Sequence, residues 1–518
     1  MNKNLKKIKI EIFKILLFSP LFIYLGKRSL IAYDEGYYVL QSRWILENEN
    51  WIAPMWFDKI ILDRTIGIQY ILAVSQKIFG QNNFGIFMPI LLSSIIMAYL
   101  TYLIHRALLN DKYAIISPLI LSTSFLWINY ANIASQDIIF ATIITFGIYA
   151  NIKASKSNKK IFYFLASVWI GLGFMMKTYL TFIPLISILP IFIKNKLIFK
   201  KLFWIGLFSG FFPFIFWSYS ILNKYDFYTY SGLFRKLLIL SNENNFSKPI
   251  YYYIWNLPAN IFPWTFFLFL GFFISYKAKN NLVRYFLFIY PLITLSLLSI
   301  FSTKTPYYPL QILSITSVNI YLSIIFLTKN NNSLNRILKF INFNLIPIIL
   351  IIFLISFKSE IENLNLNNQQ IILLYLGIIS FSISWLLTNI MKNINSKIFL
   401  ILVGPYLLFI SIFQSGLITD RSKDMRIASE YLIKEQNLDK QFIHTIKTDV
   451  VDDLSHSKLI KILLNMPKVG KGISNLSDLK TNQYAWTTTS EKNLNKLENI
   501  NIIDDSKIFK PWRLIFKK

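Results

Sequence analysis

Acidic and aromatic residues cluster immediately after the first apolar segment of the chain. The stretch reads Tyr33-Asp34-Glu35-Gly36-Tyr37-Tyr38, and Phe57-Asp58-Lys59 follows it. A carboxylate in such company can take a proton or hold a polar ligand, and a lysine beside it can neutralise an anion. Asp137, Lys177 and Lys304 stand further along at the boundaries of other apolar runs. Ionisable residues at these boundaries favour a functional site at one face of a membrane.

The composition is that of a polytopic membrane protein. Of the 518 residues 54% are hydrophobic and 17% aromatic, and apolar runs of about 16–22 residues recur along the chain. The net charge of +28 comes mostly from Lys and Arg in the short gaps between these runs, which argues against a groove for nucleic acid. The absence of Cys excludes disulfides and thiolate metal sites.

Charge parity predicts the number and direction of the spans. Loops on the cytoplasmic side of a membrane protein are usually rich in Lys and Arg. If the basic start is cytoplasmic and residues 65–79 form a juxtamembrane helix rather than a span, every inner loop is basic. We then expect about thirteen spans. They lie at residues 12–25, 84–104, 113–129, 137–152, 161–176, 178–193, 202–222, 256–276, 285–301, 306–327, 340–357, 371–390 and 398–416.

The chain divides into two predicted domains. Residues 1–416 form the membrane domain, with a first outer loop at 31–83 and a long outer loop at 223–255, and residues 417–518 form a small soluble α/β domain on the outer face. Alternation at 441–446 predicts a strand, and residues 424–433 have helical spacing. No residue of this tail forms a catalytic motif that we recognise. The fold class is thus all-α and polytopic, plus this α/β domain.

Taken in order, the motifs resemble those of the polyprenyl-phosphate-sugar-dependent glycosyltransferases of the GT-C fold. The closest resemblance is to the aminoarabinose transferases that modify lipid A, and the protein O-mannosyltransferases are more distant. The resemblance runs from about Ala32 to Leu310 and joins Asp34-Glu35, Phe57-Asp58-Lys59, residues 79–85, Asp137, Lys177, Phe262-Pro263-Trp264 and Lys304-Thr305-Pro306-Tyr307-Tyr308. This family has thirteen spans and an outer C-terminal domain, in agreement with the charge parity.

The resemblance implies a site that breaks a sugar–phosphate bond and stabilises the departing anion. Asp34 is the first choice for a general base and Asp137 the second, while Glu35 orients its neighbour or contacts the sugar. If the acceptor is an ionised lipid phosphate, no base is needed and the acids position the sugar. The expected phosphate ligands are Lys59, Lys177, Lys304, Tyr308 and Arg235, and Asp58 and Tyr37 orient the sugar or the loop.

The resemblance also implies the partners and the compartment. We expect a polyprenyl-phosphate sugar donor, a lipid, glycan or protein acceptor, and an active site open to the periplasm from the inner membrane. Relatives that bind a metal use a His in the long outer loop, and this chain has none between Asn223 and Trp255. We therefore predict that no metal or other cofactor is required.

Two other classes of function fit a polytopic chain. A transporter or flippase of lipid-linked sugars would carry ionisable residues near mid-membrane and repeat symmetry between its halves, whereas the acids here cluster at one face. A non-catalytic envelope scaffold would tolerate alanine at Asp34 and Lys59. The simplest structural interpretations also stand beside the functional ones: Asp58–Lys59 as a surface ion pair, Asp137 as a helix N-terminal charge, and Lys177 and Lys304 as interface residues.

Overall fold

The fold is predominantly helical. A computed structural model describes residues 28–57, 59–62, 64–225, 227, 230–235, 247–329, 333–356, 367–446, 452–494 and 499–518. The predicted first span at residues 12–25 and the predicted orienting residue Asp58 lie outside these described residues.

Nine described helices are long and apolar enough to cross a membrane, and a bent pair brings the number to ten. Helices suit these runs because they satisfy every backbone polar group within the segment. The nine are Asn83–Leu109, Gln136–Lys156, Lys160–Lys194, Lys201–Lys224, Asn281–Ile300, Tyr308–Lys329, Arg336–Ser356, Asn368–Leu387 and Ile394–Gln414. The bent pair, Tyr252–Asn260 and Thr265–Tyr276, turns by 114° around the segment that contains Pro263.

The structure differs from the predicted spans at three places, of which the first is the predicted span 256–276, where the bent pair lies. The predicted span 113–129 is two short helices, Ile116–Ser122 and Phe125–Tyr130, because the backbone leaves the helix at Thr123 and Phe125 N–H donates to Phe262 O at 3.0 Å. The predicted spans 161–176 and 178–193 lie in one 35-residue helical stretch. Thr178, with a φ of 41°, interrupts this stretch.

The first outer loop contains two helices and a small hairpin. The Asp34 helix (Asp34–Glu47) is followed by strands β1 (Met55–Trp56) and β2 (Lys59–Ile60), which pair antiparallel, and then by the loop helix (Gly67–Phe79). Gln69 and Gln76 of the loop helix turn inward and donate to Gln41 and Ser42 of the Asp34 helix at 2.9 and 2.6 Å. Its exposed face carries apolar side chains, Val74, Ile78 and Phe79. Exposed apolar side chains on such a helix suit a membrane interface.

Residues 417–518, the C-terminal region, contain a mixed five-stranded sheet with the order β4-β3-β5-β7-β6. The strands are β3 (Ile443–Ile446), β4 (Val469–Ile473), β5 (Gln483–Thr487), β6 (Ile500–Asp504) and β7 (Arg513–Lys517). Strand β3 is parallel to both neighbours, and β7 is antiparallel to both of its own. The helices Lys423–Glu435 and the His456 helix (Asp453–Asn465) accompany the sheet. The predicted strand and helix of the tail both appear at their predicted places.

Candidate active site

Asp34 opens the first turn of the Asp34 helix and faces solvent. Its side chain is 56% exposed, and Arg64 Nη1 lies 3.9 Å from its Oδ1. Arg64 is itself held by Tyr38, because it donates to the Tyr38 hydroxyl and its guanidinium carbon lies 5.1 Å from the centre of the Tyr38 ring. The Asp34 carboxylate is therefore solvent-accessible and lies beside an arginine.

Asp137 and Lys177 form a buried ion pair. Asp137 lies in the first turn of the helix Gln136–Lys156, and Lys177 is the last residue of the helix Lys160–Lys177. Their side chains are only 7% and 8% exposed, and Lys177 Nζ donates to Asp137 Oδ1. Ser135 Oγ donates to the second carboxylate oxygen at 2.8 Å. Both oxygens of the Asp137 carboxylate are therefore satisfied by the protein.

Aromatic rings surround the Lys177 ammonium. It lies 4.8 Å from the ring centre of Tyr307, 5.6 Å from that of Tyr308 and 5.9 Å from that of Phe140. Ring faces attract a cation, and the attraction strengthens where water is excluded. The rings hold the ammonium at one place without neutralising it.

Tyr130 lies within electrostatic reach of both carboxylates. Its ring centre lies 5.2 Å from that of Tyr307. Burial raises the pKa of Tyr130 well above its usual value, and the negative charges of Asp137 and Asp34 raise it further. Both acids thus act electrostatically on one phenol. The structure pairs Asp137 with Lys177 and places Asp34 within electrostatic reach of the same tyrosine, although these residues are far apart in the chain.

Glu35 is buried directly behind Asp34. Its Oε2 accepts from Ile31 N–H and its Oε1 from Ala134 N–H, each at 2.7 Å. Burial raises the pKa of Glu35 from 4.5 to about 7, while these two hydrogen bonds and the charges of Arg28 and Arg421 oppose the rise. Glu35 therefore joins the start of the Asp34 helix to the segment that leads to Asp137.

The other predicted residues are distributed more widely. Lys59, in β2, is exposed. Tyr308 is half-buried beside Lys177. Arg235 is exposed at the end of the described segment 230–235.

Lys304 is placed differently from our expectation of a phosphate ligand. It is buried and donates to Lys248 O at 2.9 Å and to Phe301 O at 2.5 Å. Its ammonium thus fastens the end of the long outer loop to the segment after Ile300. Two of the three hydrogens of the Lys304 ammonium are therefore bonded to backbone carbonyl oxygens.

Tyr37 contacts the C-terminal region. Its hydroxyl lies 2.6 Å from His456 Nε2, and its ring centre lies 4.5 Å from that of Trp56. Sequence reasoning missed His456, as well as Arg64 and Tyr130. Tyr307 lies next to Tyr308 in the motif but is not among the predicted site residues. No local pattern indicates His456, because its partner Tyr37 is more than 400 residues away in the chain. Among the described residues, no three His, Asp or Glu side chains group closely enough to hold a metal ion.

The chain is similar in sequence to known glycosyltransferases. The family model for dolichyl-phosphate-mannose-protein mannosyltransferase matches residues 63–219. The undecaprenyl phosphate-alpha-4-amino-4-deoxy-L-arabinose arabinosyl transferase of Wigglesworthia glossinidia brevipalpis is 28% identical over 393 residues, which cover 71% of this chain and 68% of that protein. The protein of the same name from Yersinia pestis (strain Pestoides F) is 26% identical over 46% of this chain and 45% of its own length.

Solved structures agree with the fold. ArnT from Cupriavidus metallidurans bound to undecaprenyl phosphate superposes with a TM-score of 0.78, at 10% identity, over 99% of this chain and 98% of that one. Its apo state gives a TM-score of 0.77 at 11% identity, over 98% of each chain. The chain is therefore an integral membrane glycosyltransferase with the GT-C fold of these structures, similar to the undecaprenyl phosphate aminoarabinose transferases.

Proposed function

We propose that this protein transfers a sugar, an amino sugar first among candidates, from a polyprenyl-phosphate donor to a lipid acceptor at the outer face of the membrane. The observation that carries the proposal is the Asp137–Lys177 pair beneath Tyr307 and Tyr308, with Asp34 exposed at the same site. The names of the relatives support an undecaprenyl-phosphate donor.

Lys177 is the cation that we assign to the leaving group. As the anomeric carbon separates from the phosphate oxygen, negative charge grows on polyprenyl phosphate, and a fixed cation in a partly dry site stabilises that charge. Lys177 needs no reorganisation to do this, because Asp137 and the surrounding rings already fix its ammonium. Asp137 therefore acts as a positioning residue for Lys177, and Tyr308 adds a hydroxyl to the phosphate.

Asp34 is the group that we assign to the acceptor. A hydroxyl acceptor attacks the anomeric carbon through oxygen, the bond from that carbon to the phosphate oxygen breaks, and the hydroxyl proton passes to the Asp34 carboxylate. An ionised phosphate acceptor brings no such proton, and Asp34 would then hold the sugar. Exposure favours Asp34 over Asp137 in either role, because the Asp34 side chain is 56% exposed and that of Asp137 only 7%.

Lys59 is the second cation that we place near the donor. Its ammonium is exposed on β2, and the neighbouring Trp56 belongs to the same aromatic cluster as Tyr37. We assign Lys304 to loop architecture instead, because its ammonium is bonded to two backbone carbonyls.

The proposed topology has thirteen spans, a cytoplasmic N-terminus and a periplasmic C-terminal region at residues 417–518. A helix of 35 residues would be about 52 Å long, which exceeds the roughly 30 Å of hydrocarbon. The interruption at Thr178 supports two crossings in the stretch Lys160–Lys194.

We propose that catalysis requires no metal, since lysines supply the positive charge that stabilises the leaving group.

The test is transfer of labelled sugar from a panel of polyprenyl-phosphate sugars to an extract of envelope lipids and proteins. We expect label in a lipid with the wild type and, with Asp34→Asn, a rate lower by roughly 10²–10⁴ for a hydroxyl acceptor. Lys160→Met, an exposed change at the opposite end of the Lys177 helix, serves as the control and should retain full activity. If folded wild type transfers label from no donor, the proposal fails and transport or scaffolding takes its place.

A further inference from the structure

The C-terminal region contacts the Asp34 helix at very close range. At Gly36, in the first turn of that helix, an added Cβ would lie 2.4 Å from Ile460 Cγ2 and 3.2 Å from Leu464 Cδ1 of the His456 helix, and 3.1 Å from Ile31 O. Ordinary contact begins at 3.4 Å. An added methyl group would therefore force the Ile460 side chain or one of the two helices to shift.

Hydrogen bonds accompany this contact along the same face. The Tyr33 hydroxyl donates to Asp453 O at 2.7 Å, and the Tyr37 hydroxyl meets His456 Nε2 at 2.6 Å. Two turns further along, Arg43 Nη1 reaches Leu464 O and Met466 O at 3.2 and 3.3 Å. Positions 33, 36, 37 and 43 fall on one side of a helix. The His456 helix therefore covers most of the length of that side.

A second side of the Asp34 helix is bonded to the loop helix. Gln41 and Ser42 accept from Gln69 and Gln76. The Asp34 helix is thus held between two partners, one from the first outer loop and one from the C-terminal region. Its rotation about its own axis determines where the Asp34 carboxylate points.

We propose that the His456 helix is a positioning element of the active site, and that the Gly36–Ile460 contact sets the position of Asp34. The inference rests on the proposed role of Asp34 and extends it to the C-terminal region. Residues 417–518 are then part of the catalytic apparatus, although they act on the reacting atoms only through the Asp34 helix.

The test is a rescue experiment in the full-length protein. Gly36→Ala should push the two helices apart by about 1 Å, and a misplacement of that size can lower kcat by roughly 10- to 100-fold. Binding of undecaprenyl phosphate should change by less than about twofold, because Lys177 and Lys59 stand on other elements. Ile460→Ala removes Cγ2, and adding it to Gly36→Ala should restore kcat to within about threefold of Ile460→Ala alone. Ile460→Val retains Cγ2 and should not rescue.

The outcomes separate this inference from the proposed function. If wild type transfers no sugar, the proposed function fails. If wild type transfers sugar and Gly36→Ala retains its kcat, or Ile460→Val rescues as well as Ile460→Ala, the positioning role is wrong. If Gly36→Ala does not fold, His456→Phe is the variant to test. Phenylalanine retains a ring at this position but loses the hydrogen bond to Tyr37. It should lower kcat by about threefold to tenfold with donor affinity unchanged, and a wild-type kcat would overturn the inference.

Discussion

The buried pair of Asp137 and Lys177 gives the sharpest prediction about catalysis. Lys177→Met removes the ammonium but retains much of the side-chain volume. Because the Asp137 side chain is only 7% exposed, its carboxylate would be left buried and unpaired. Removing one partner of such a pair costs about 3–5 kcal/mol of folding free energy. Losing the cation at the leaving group should also lower kcat by about 10²–10³, which corresponds to about 2.7–4 kcal/mol in the transition state.

These two effects can be separated. The double variant Lys177→Met/Asp137→Asn removes both charges, and the amide oxygen that replaces the carboxylate can still accept from Ser135. Its thermal unfolding in detergent should return close to that of the wild type, because no charge is left buried. Its kcat should stay at least about 100-fold lower, because the donor phosphate still lacks its cation.

The assay is single-turnover transfer of labelled sugar at saturating donor, with thermal unfolding measured on the same preparations. Lys160→Met is the matched control for loss of a lysine from the same helix. Recovery of wild-type kcat in the double variant would refute the assignment of Lys177 to the phosphate. Wild-type stability in Lys177→Met alone would refute the buried pair.

Three further predictions concern the remaining parts of the site. The pKa of Glu35 is raised from 4.5 to about 7, so the folded state holds a proton that the unfolded state releases in that window. Stability should therefore fall as pH rises from about 4.5 to 7, by up to about 3 kcal/mol. The dependence of stability on pH should be weaker in Glu35→Gln than in the wild type. The two proteins must be compared because burial raises the pKa of Glu47 to about 7 as well, so some dependence on pH will persist. An equal dependence in both proteins would contradict the prediction. Lys59→Gln should raise the donor KM about tenfold with little change in kcat, and an unchanged KM would remove Lys59 from the donor site. Prolonged treatment with a chelator should leave kcat within about twofold, since lysines supply the positive charge; loss of activity that added metal restores would overturn the metal-free proposal.

Much of the site follows from the sequence, because membrane topology limits where ionisable residues can stand. Asp34, Asp137 and Lys177 each stand at the boundary of an apolar run, and the structure pairs Asp137 with Lys177 and places Asp34 within electrostatic reach of the same tyrosine. The order of the spans confines such residues to one layer, which is why residues far apart in the chain converge. Their roles in catalysis remain predictions.

Other parts depend on tertiary contacts that composition does not record. Lys304 has the residue type of a phosphate ligand, but two nearby carbonyls occupy its ammonium. The predicted span 113–129 has enough apolar length, but its backbone turns where Phe125 bonds to Phe262. The contact between Tyr37 and His456 joins residues that are 419 positions apart, so no periodicity or spacing could have indicated it.

The most direct test of the central claim is a structure of the wild-type protein with undecaprenyl phosphate bound. We predict that the phosphate lies within hydrogen-bonding distance of Lys177 Nζ, close to Tyr308 and on the same side of the site as Asp34. A phosphate bound elsewhere, with Lys177 still paired only to Asp137, would contradict the assignment of this site to sugar transfer.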